Sequence, residues 1–137
     1  MSGASVRVRG YVSRFDTPDR SGDVVRRGAF AGNRADVPLL WQHDVERPIG
    51  RVVSLVEDAH GLRMEALVSA DCRDGRDALA LMRARAVDGL SFGYRVKTAR
   101  PVPGGGRELL KLELLECSVV TLPMHERARV TAIVADA

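Results

Sequence analysis

Asp88-Gly89-Leu90-Ser91-Phe92-Gly93-Tyr94-Arg95-Val96-Lys97, then Pro101-Val102-Pro103-Gly104-Gly105-Gly106, then Glu108 through Val120 is the stretch that decides the fold. Phe92–Lys97 reads as a strand, the proline–glycine cluster forces a turn, and Glu108–Val120 reads as a second, longer strand. A turn centred near Pro103–Gly104 sets Ser91 against Glu116 in register, on opposite or diagonal positions of one face. Their Cβ atoms would then stand roughly 4.5–8 Å apart. Before this hairpin, Asp74–Val87 carries the one clear helical pattern. Leu79, Met82 and Ala86 share a face, Asp74 serves as N-cap and Gly89 as a left-handed C-terminal cap.

Gly89-Leu90-Ser91-Phe92-Gly93 matches the Gly-x-Ser-x-Gly string of a nucleophile elbow. The elbow needs strand–turn–helix, whereas the order here is helix–turn–strand, so an α/β-hydrolase sheet is excluded and only the serine is kept. Working outward, Val6, Val8 and Val12 alternate with polar residues as in a half-buried strand. Asp16–Asp23 is a turn-rich loop, and Gly28–Ala31 is expected to start a short helix. Val37–Trp41 reads as a strand that delivers Gln42-His43-Asp44. Ile49–Val56 and Leu62–Val68 read as a hairpin through Asp58–Gly61, and Val130, Ala132 and Val134 as a last strand. Many strands, short turns and few helices predict a mainly β (α+β) fold, a small antiparallel barrel or sandwich flanked by one or two helices. The 137 residues suit a single domain over 1–137.

Composition narrows the function classes. Hydrophobic residues are 45% and charged residues 28%, as in ordinary globular domains. The net charge of +3 comes from arginines interleaved with acids, and aromatics are 4%, too sparse for a base-stacking platform. No apolar run reaches membrane-spanning length. Met1-Ser2-Gly3-Ala4 leads into a polar alternating segment rather than a signal peptide, and Cys72 and Cys117 form no disulfide framework. A reducing cytoplasmic setting is expected, with Cys117 a buried thiol. No Cys-x-x-Cys or His-x-x-x-His pattern supports a metal, and no cofactor motif is present.

A hydrolase needs a nucleophile, a base within reach and a group that orients the base. His43, at the end of an apolar strand, is one candidate base; a strand-end histidine bonded to Asp44 is the plainer alternative. His60 in a turn and His125 after Pro123 read as non-catalytic. Ser91 sits at a strand start between glycines that let a substrate backbone approach. The alternative is a surface serine. Glu116 stands among Leu114, Leu115, Val119 and Val120, where burial demands a partner. Its alternative is an edge-strand glutamate facing water.

The ordered set Gly10-Tyr11, Ser21-Gly22-Asp23-Val24-Val25, Gly28-Ala29-Phe30, Leu40-Trp41-Gln42-His43-Asp44, Pro48-Ile49-Gly50-Arg51-Val52, Gly89–Tyr94 and Leu115–Pro123 resembles the phage prohead (procapsid) maturation proteases. That family is related to the herpesvirus assembly proteases. The resemblance implies a barrel of about seven strands ringed by helices, with His43 as general base, Ser91 as nucleophile and Glu116 holding the imidazole. The third member in the herpesvirus branch is a histidine. A carboxylate there fixes the tautomer and stabilises the imidazolium more strongly. Backbone N–H groups at Phe92 and Gly93, with Arg127 or Arg129, are implied to hold the oxyanion.

The implied activity is that of a serine endopeptidase cutting the scaffolding segment from the major capsid protein precursor. It would work among other procapsid proteins, inside the procapsid in the bacterial host cytoplasm, in a phage or a phage-derived gene transfer particle. Metal, cofactor, nucleic acid and membrane are not required, and a homo-oligomer is allowed. Two other readings are a non-catalytic barrel that binds coat protein as an assembly factor, and a small-ester hydrolase, which needs a deep apolar pocket.

Overall fold

Alternation of small β-branched residues with polar ones makes Ser5–Arg14 a strand (β1), with Val6, Val8 and Val12 turned inward. The computed structural model describes residues 4–135. Seven further strands follow among them: β2 (Val24–Val25), β3 (Pro38–Trp41), β4 (Asp44–Glu57), β5 (Gly61–Ser69), β6 (Gly89–Pro101), β7 (Arg107–Val120) and β8 (Val130–Ala135). One helix, α1 (Arg73–Arg83), separates β5 from β6.

The strands form one sheet in the order β2-β7-β3-β4-β5-β1-β8, with β6 hydrogen-bonded to β7. Pairing is antiparallel except where β2 and β3 run parallel to β7. The ladder does not close into a complete barrel. Its ends meet through a short bridge instead: Gly89 pairs with Arg129, Leu90 N–H donates to Ala128 O at 2.8 Å, and Val130 N–H to Asp88 O at 2.9 Å. The expected mainly β (α+β) class is observed, with eight strands and one helix among the described residues and two parallel pairings in place of an all-antiparallel barrel.

The core sits inside the curl of this sheet. Val8, Leu39, Val52, Met64, Leu90, Leu109 and Val119 are fully buried there. Each such aliphatic side chain contributes about 1.5–3 kcal/mol by leaving water. α1 lies against β4 and β5 and buries Ala78, Leu79 and Met82.

Local chemistry moved three sequence expectations. The helix N-cap is Cys72, whose Sγ accepts Gly75 N–H at 3.2 Å, so Asp74 lies in the first turn, where its charge suits the dipole. The helix ends at Ala84 with Arg85 left-handed at φ 58°, well before Gly89, which belongs to β6. Gly28–Ala31 is a run of turns rather than a helix. Positive φ at Gly28 and Gly32 brackets it, and the Glu57 carboxylate holds Gly28 N–H at 2.7 Å and Phe30 N–H at 3.0 Å.

Candidate active site

His43 owes its place to a two-residue turn. Trp41 pairs with Asp44 across β3 and β4, leaving Gln42 and His43 as the central residues, with φ 54° and 61°. Two consecutive positive-φ residues match the twist of a type I′ hairpin. Neither is glycine, so each costs about 1–3 kcal/mol unless the surroundings hold it. The end of β7 does so. Gln42 N–H donates to Val119 O at 2.9 Å, and its side-chain amide donates to Thr121 Oγ1 at 2.6 Å. The same amide accepts Thr121 N–H at 3.1 Å. His43 N–H donates to Ser118 Oγ at 3.1 Å.

Along β7, Cys117 and Val119 face the core and are wholly buried, so Glu116 and Ser118 share the other face. His43 Nδ1 lies 2.5 Å from Glu116 Oε1, and Ser118 Oγ donates to Glu116 Oε2 at 2.6 Å. The hydrogen bond and charge of Glu116 hold the His43 proton above the ordinary histidine value of 6.5, against an opposing push from partial burial. An ionised carboxylate only accepts, so Nδ1 carries the proton and Nε2 has its lone pair free in the neutral ring. Nε2 has no hydrogen-bond partner among the described residues.

Ser91 faces Ser118 directly in the β6–β7 ladder, and Gly93 faces Glu116. Ser91 therefore stands diagonal to Glu116, on the same side of the sheet. Ser118 has no exposed surface and its hydroxyl is engaged on both sides, whereas Ser91 retains 8% exposure and its hydroxyl has no partner among the described residues. The hydroxyl free to react is thus that of Ser91. No hydrogen bond joins it to His43 among the described residues. In such sites that bond commonly tightens only with substrate in place. Gly93 leaves room for the carboxylate: a Cβ there would stand 2.6 Å from Glu116 Oε1.

Other candidates fall where their local contacts put them. Leu90 N–H points away from β7 to Ala128 O, so by strand alternation Phe92 N–H points the same way, off the ladder. Arg129 is tied to Asp88 at 2.8 Å and to Glu126 O at 2.8 Å. The Arg127 side chain is exposed, with no partner among the described residues. Asp44 does not reach His43; its carboxylate accepts Glu46 N–H at 2.9 Å and lies 3.6 Å from Arg47. His125 has both ring nitrogens occupied, by Thr17 Oγ1 at 2.7 Å and by Arg127 N–H at 3.1 Å, and His60 packs edge-on against Tyr11. Burial of the Cys117 thiol pushes its proton affinity up, which keeps it unreactive.

The register places Ser91 two positions from where a plain turn count sets it, because bulges interrupt β6–β7 and Gly104, Gly105 and Gly106 all take positive φ. Gln42, Thr121 and Ser118 escaped the sequence reading. For Ser118 a signal was available, since residues two apart on a strand share a face, and Ser118 is two on from Glu116. A cavity of about 30 Å³ beside Ser91, lined by Leu90, Phe92, Tyr94, Arg14 and His125 among others, has room for roughly two waters. That is far from a deep ester pocket. Among the described residues no three metal-ligating side chains cluster, and no helix is long and apolar enough to cross a membrane.

A sequence profile described as Caudovirus prohead serine protease matches residues 2–137. The prohead protease of Enterobacteria phage HK97 is 32% identical over 131 residues, covering 90% of this chain and 58% of that protein. The capsid polyprotein of Pseudomonas phage PAJU2 is 30% identical over 135 residues, 93% of this chain and 20% of that protein. The prohead protease of Escherichia phage T5 is 27% identical over 128 residues, 88% and 60% of the two chains. The chain thus spans less than two thirds of each of these relatives. In fold it is similar to the KSHV protease solved with a hexapeptide phosphonate inhibitor (TM-score 0.64, 16% identity, 96% of this chain and 66% of that one). It is also similar to the varicella-zoster virus protease (TM-score 0.61, 14% identity, 96% and 65%). The profile runs over nearly every residue, and on that ground the chain belongs to the Caudovirus prohead serine protease family.

Proposed function

We propose that this chain is a serine endopeptidase that removes the scaffolding segment of the major capsid protein precursor inside the procapsid, within the host cytoplasm. The observation that carries the reading is the His43–Glu116 pair, held by β7 on the same sheet face as a free Ser91 hydroxyl. Ser91 Oγ attacks the scissile carbonyl carbon while His43 Nε2 takes its proton. The imidazolium then forms against Glu116, whose carboxylate already favours it. The proton passes to the amine nitrogen as the C–N bond breaks, and water repeats the sequence to release the acid and regenerate Ser91. The Phe92 N–H, off the ladder, is the backbone donor offered to the developing oxyanion, whereas by the same alternation the Gly93 N–H faces β7. Arg127, with no competing partner, supplies the nearby positive charge, and Arg129 braces the same turn through Asp88. Enclosure in a particle raises local substrate concentration, so modest intrinsic activity suffices.

Co-expression with the capsid precursor tests the reading. Ser91→Ala and His43→Ala are each expected to abolish cleavage, read by mass spectrometry of coat-protein N-termini, while circular dichroism stays native. Normal processing by either variant overturns the assignment. Particle association with no cleavage by the natural chain would indicate a non-catalytic assembly factor.

A further inference from the structure

Ser118 is a fully buried polar residue of β7 that the cleavage scheme leaves without a role. Its hydroxyl lies 2.6 Å from Glu116 Oε2 and 3.1 Å from the His43 backbone nitrogen. The polarity of these bonds is forced. A backbone N–H can only donate, so Ser118 Oγ accepts from His43. Its single proton is then left for the carboxylate, which accepts. One hydroxyl therefore touches both the orienting carboxylate and the backbone of the residue it orients.

We infer that Ser118 is a positioning residue for hydrolysis, acting through Glu116 and His43 rather than on substrate. The inference rests on reading His43, Ser91 and Glu116 as the reacting set. Glu116 is anchored at Oε2 by Ser118, which leaves Oε1 aimed at His43 Nδ1. Without that anchor the carboxylate can turn about its terminal torsion, which is broad. At the other end, His43 sits in a left-handed turn, and Ser118 is the acceptor for its N–H. Loss of the hydroxyl loosens base and orienter together and leaves two polar groups unpaired. A merely structural serine in a strand could be satisfied by neighbouring backbone; both of these bonds go to the machinery.

The test uses the full chain with a fluorophosphonate, which phosphonylates a serine activated by its base: the Ser91 Oγ–P bond forms, fluoride leaves and the proton passes to His43. Ser118→Ala is expected to lower the saturating labelling rate by roughly 10–100-fold, the worth of one hydrogen bond to a charged group, with half-saturation unchanged. Ser118→Thr, which keeps the hydroxyl, is expected to restore most of it. In histidine-labelled protein, the His43 Nδ1–H resonance is expected to be lost in Ser118→Ala and kept in Ser118→Thr, well below the melting temperature of each. A purely structural role would shift the melting temperature and leave rate and resonance alone, and that result overturns the inference. If Ser118→Ala fails to fold, Ser118→Cys, near in size but a weak donor, is expected to label at an intermediate rate; the natural rate there also overturns it. Ser91→Ala separates the two levels. If Ser91 is not the labelled residue, the reacting set itself is wrong; if Ser91 labels and Ser118→Ala matches the natural chain, only the role of Ser118 falls.

Discussion

At the scale of single residues, the His43–Glu116 bond sets a pH dependence whose sign follows from its cause. Glu116 raises the proton affinity of His43 above 6.5, and in the proposed mechanism His43 is the base and must be neutral to act. Activity is therefore expected to rise with pH along a limb above the ordinary histidine value. Glu116→Gln removes the charge. We expect its limb to move down toward 6.5 while the maximal rate falls roughly 10²–10⁴-fold, as in hydrolases that lose an orienting carboxylate. A pH–rate profile of phosphonylation checks both parts, and an unmoved limb would assign the shift to another group. Linkage gives the matching effect on stability. A raised folded-state value means the pair stabilises fully below the unfolded histidine value, and that contribution fades as pH rises through the folded one. The pairing of Glu116 was legible, because a carboxylate among leucines and valines needs a partner, and that partner is His43. Gln42 and Thr121 were not legible. Their role is to hold a strained turn through contacts 79 residues apart in sequence, which no local pattern encodes.

Elements read well where periodicity was strong and poorly where termination depended on a single contact. The strands from Val6, Leu62 and Glu108 follow their alternation. β4 starts at Asp44, ahead of the expected Ile49, because the tight Gln42–His43 turn leaves no loop. The β6–β7 hairpin was visible from its glycines, but its register was not, since three bulges cannot be counted from a turn centre. That register makes Gly93 the informative position. A methyl there would meet the Glu116 carboxylate, the movable end of a side chain, rather than backbone. Gly93→Ala is thus expected to keep its fold, with Tm within a few degrees of the natural chain, since about 1 kcal/mol moves Tm by a few degrees at this size. Its labelling rate should nonetheless fall at least about tenfold, because displacing Oε1 misaims the imidazole. Natural rates in Gly93→Ala would mean that Glu116 tolerates displacement and is not the orienter.

The whole molecule holds its site at a seam. Ser91 follows two residues after Gly89, where β6 meets the turn before β8 and the two ends of the open sheet are tied by the Leu90–Ala128 and Val130–Asp88 bonds. β1 supports this seam from beneath: Tyr11 N–H donates to Arg129 O at 3.2 Å, and Gly10 lies so close that a Cβ would overlap that same carbonyl and stand 2.6 Å from Leu90 Cδ1. Here the obstacle is backbone, which cannot swing aside. Gly10→Ala must therefore part β1 from the 126–129 turn or push Leu90 out of the core. The expected cost is about 1–3 kcal/mol of overpacking, a fall in Tm on the order of 5–10 °C. Because Leu90 adjoins Ser91 and Arg127 rides on the displaced turn, the loss should reach the site as well. Phosphonylation measured well below the lowered Tm should remain slower than in the natural chain, in contrast to a core substitution of similar cost remote from the seam, such as Leu79→Ala in α1, which should label at the natural rate once folded. Equal labelling of the two variants would show that the seam carries stability alone and that the strand presenting Ser91 is positioned by β7 without help from β1.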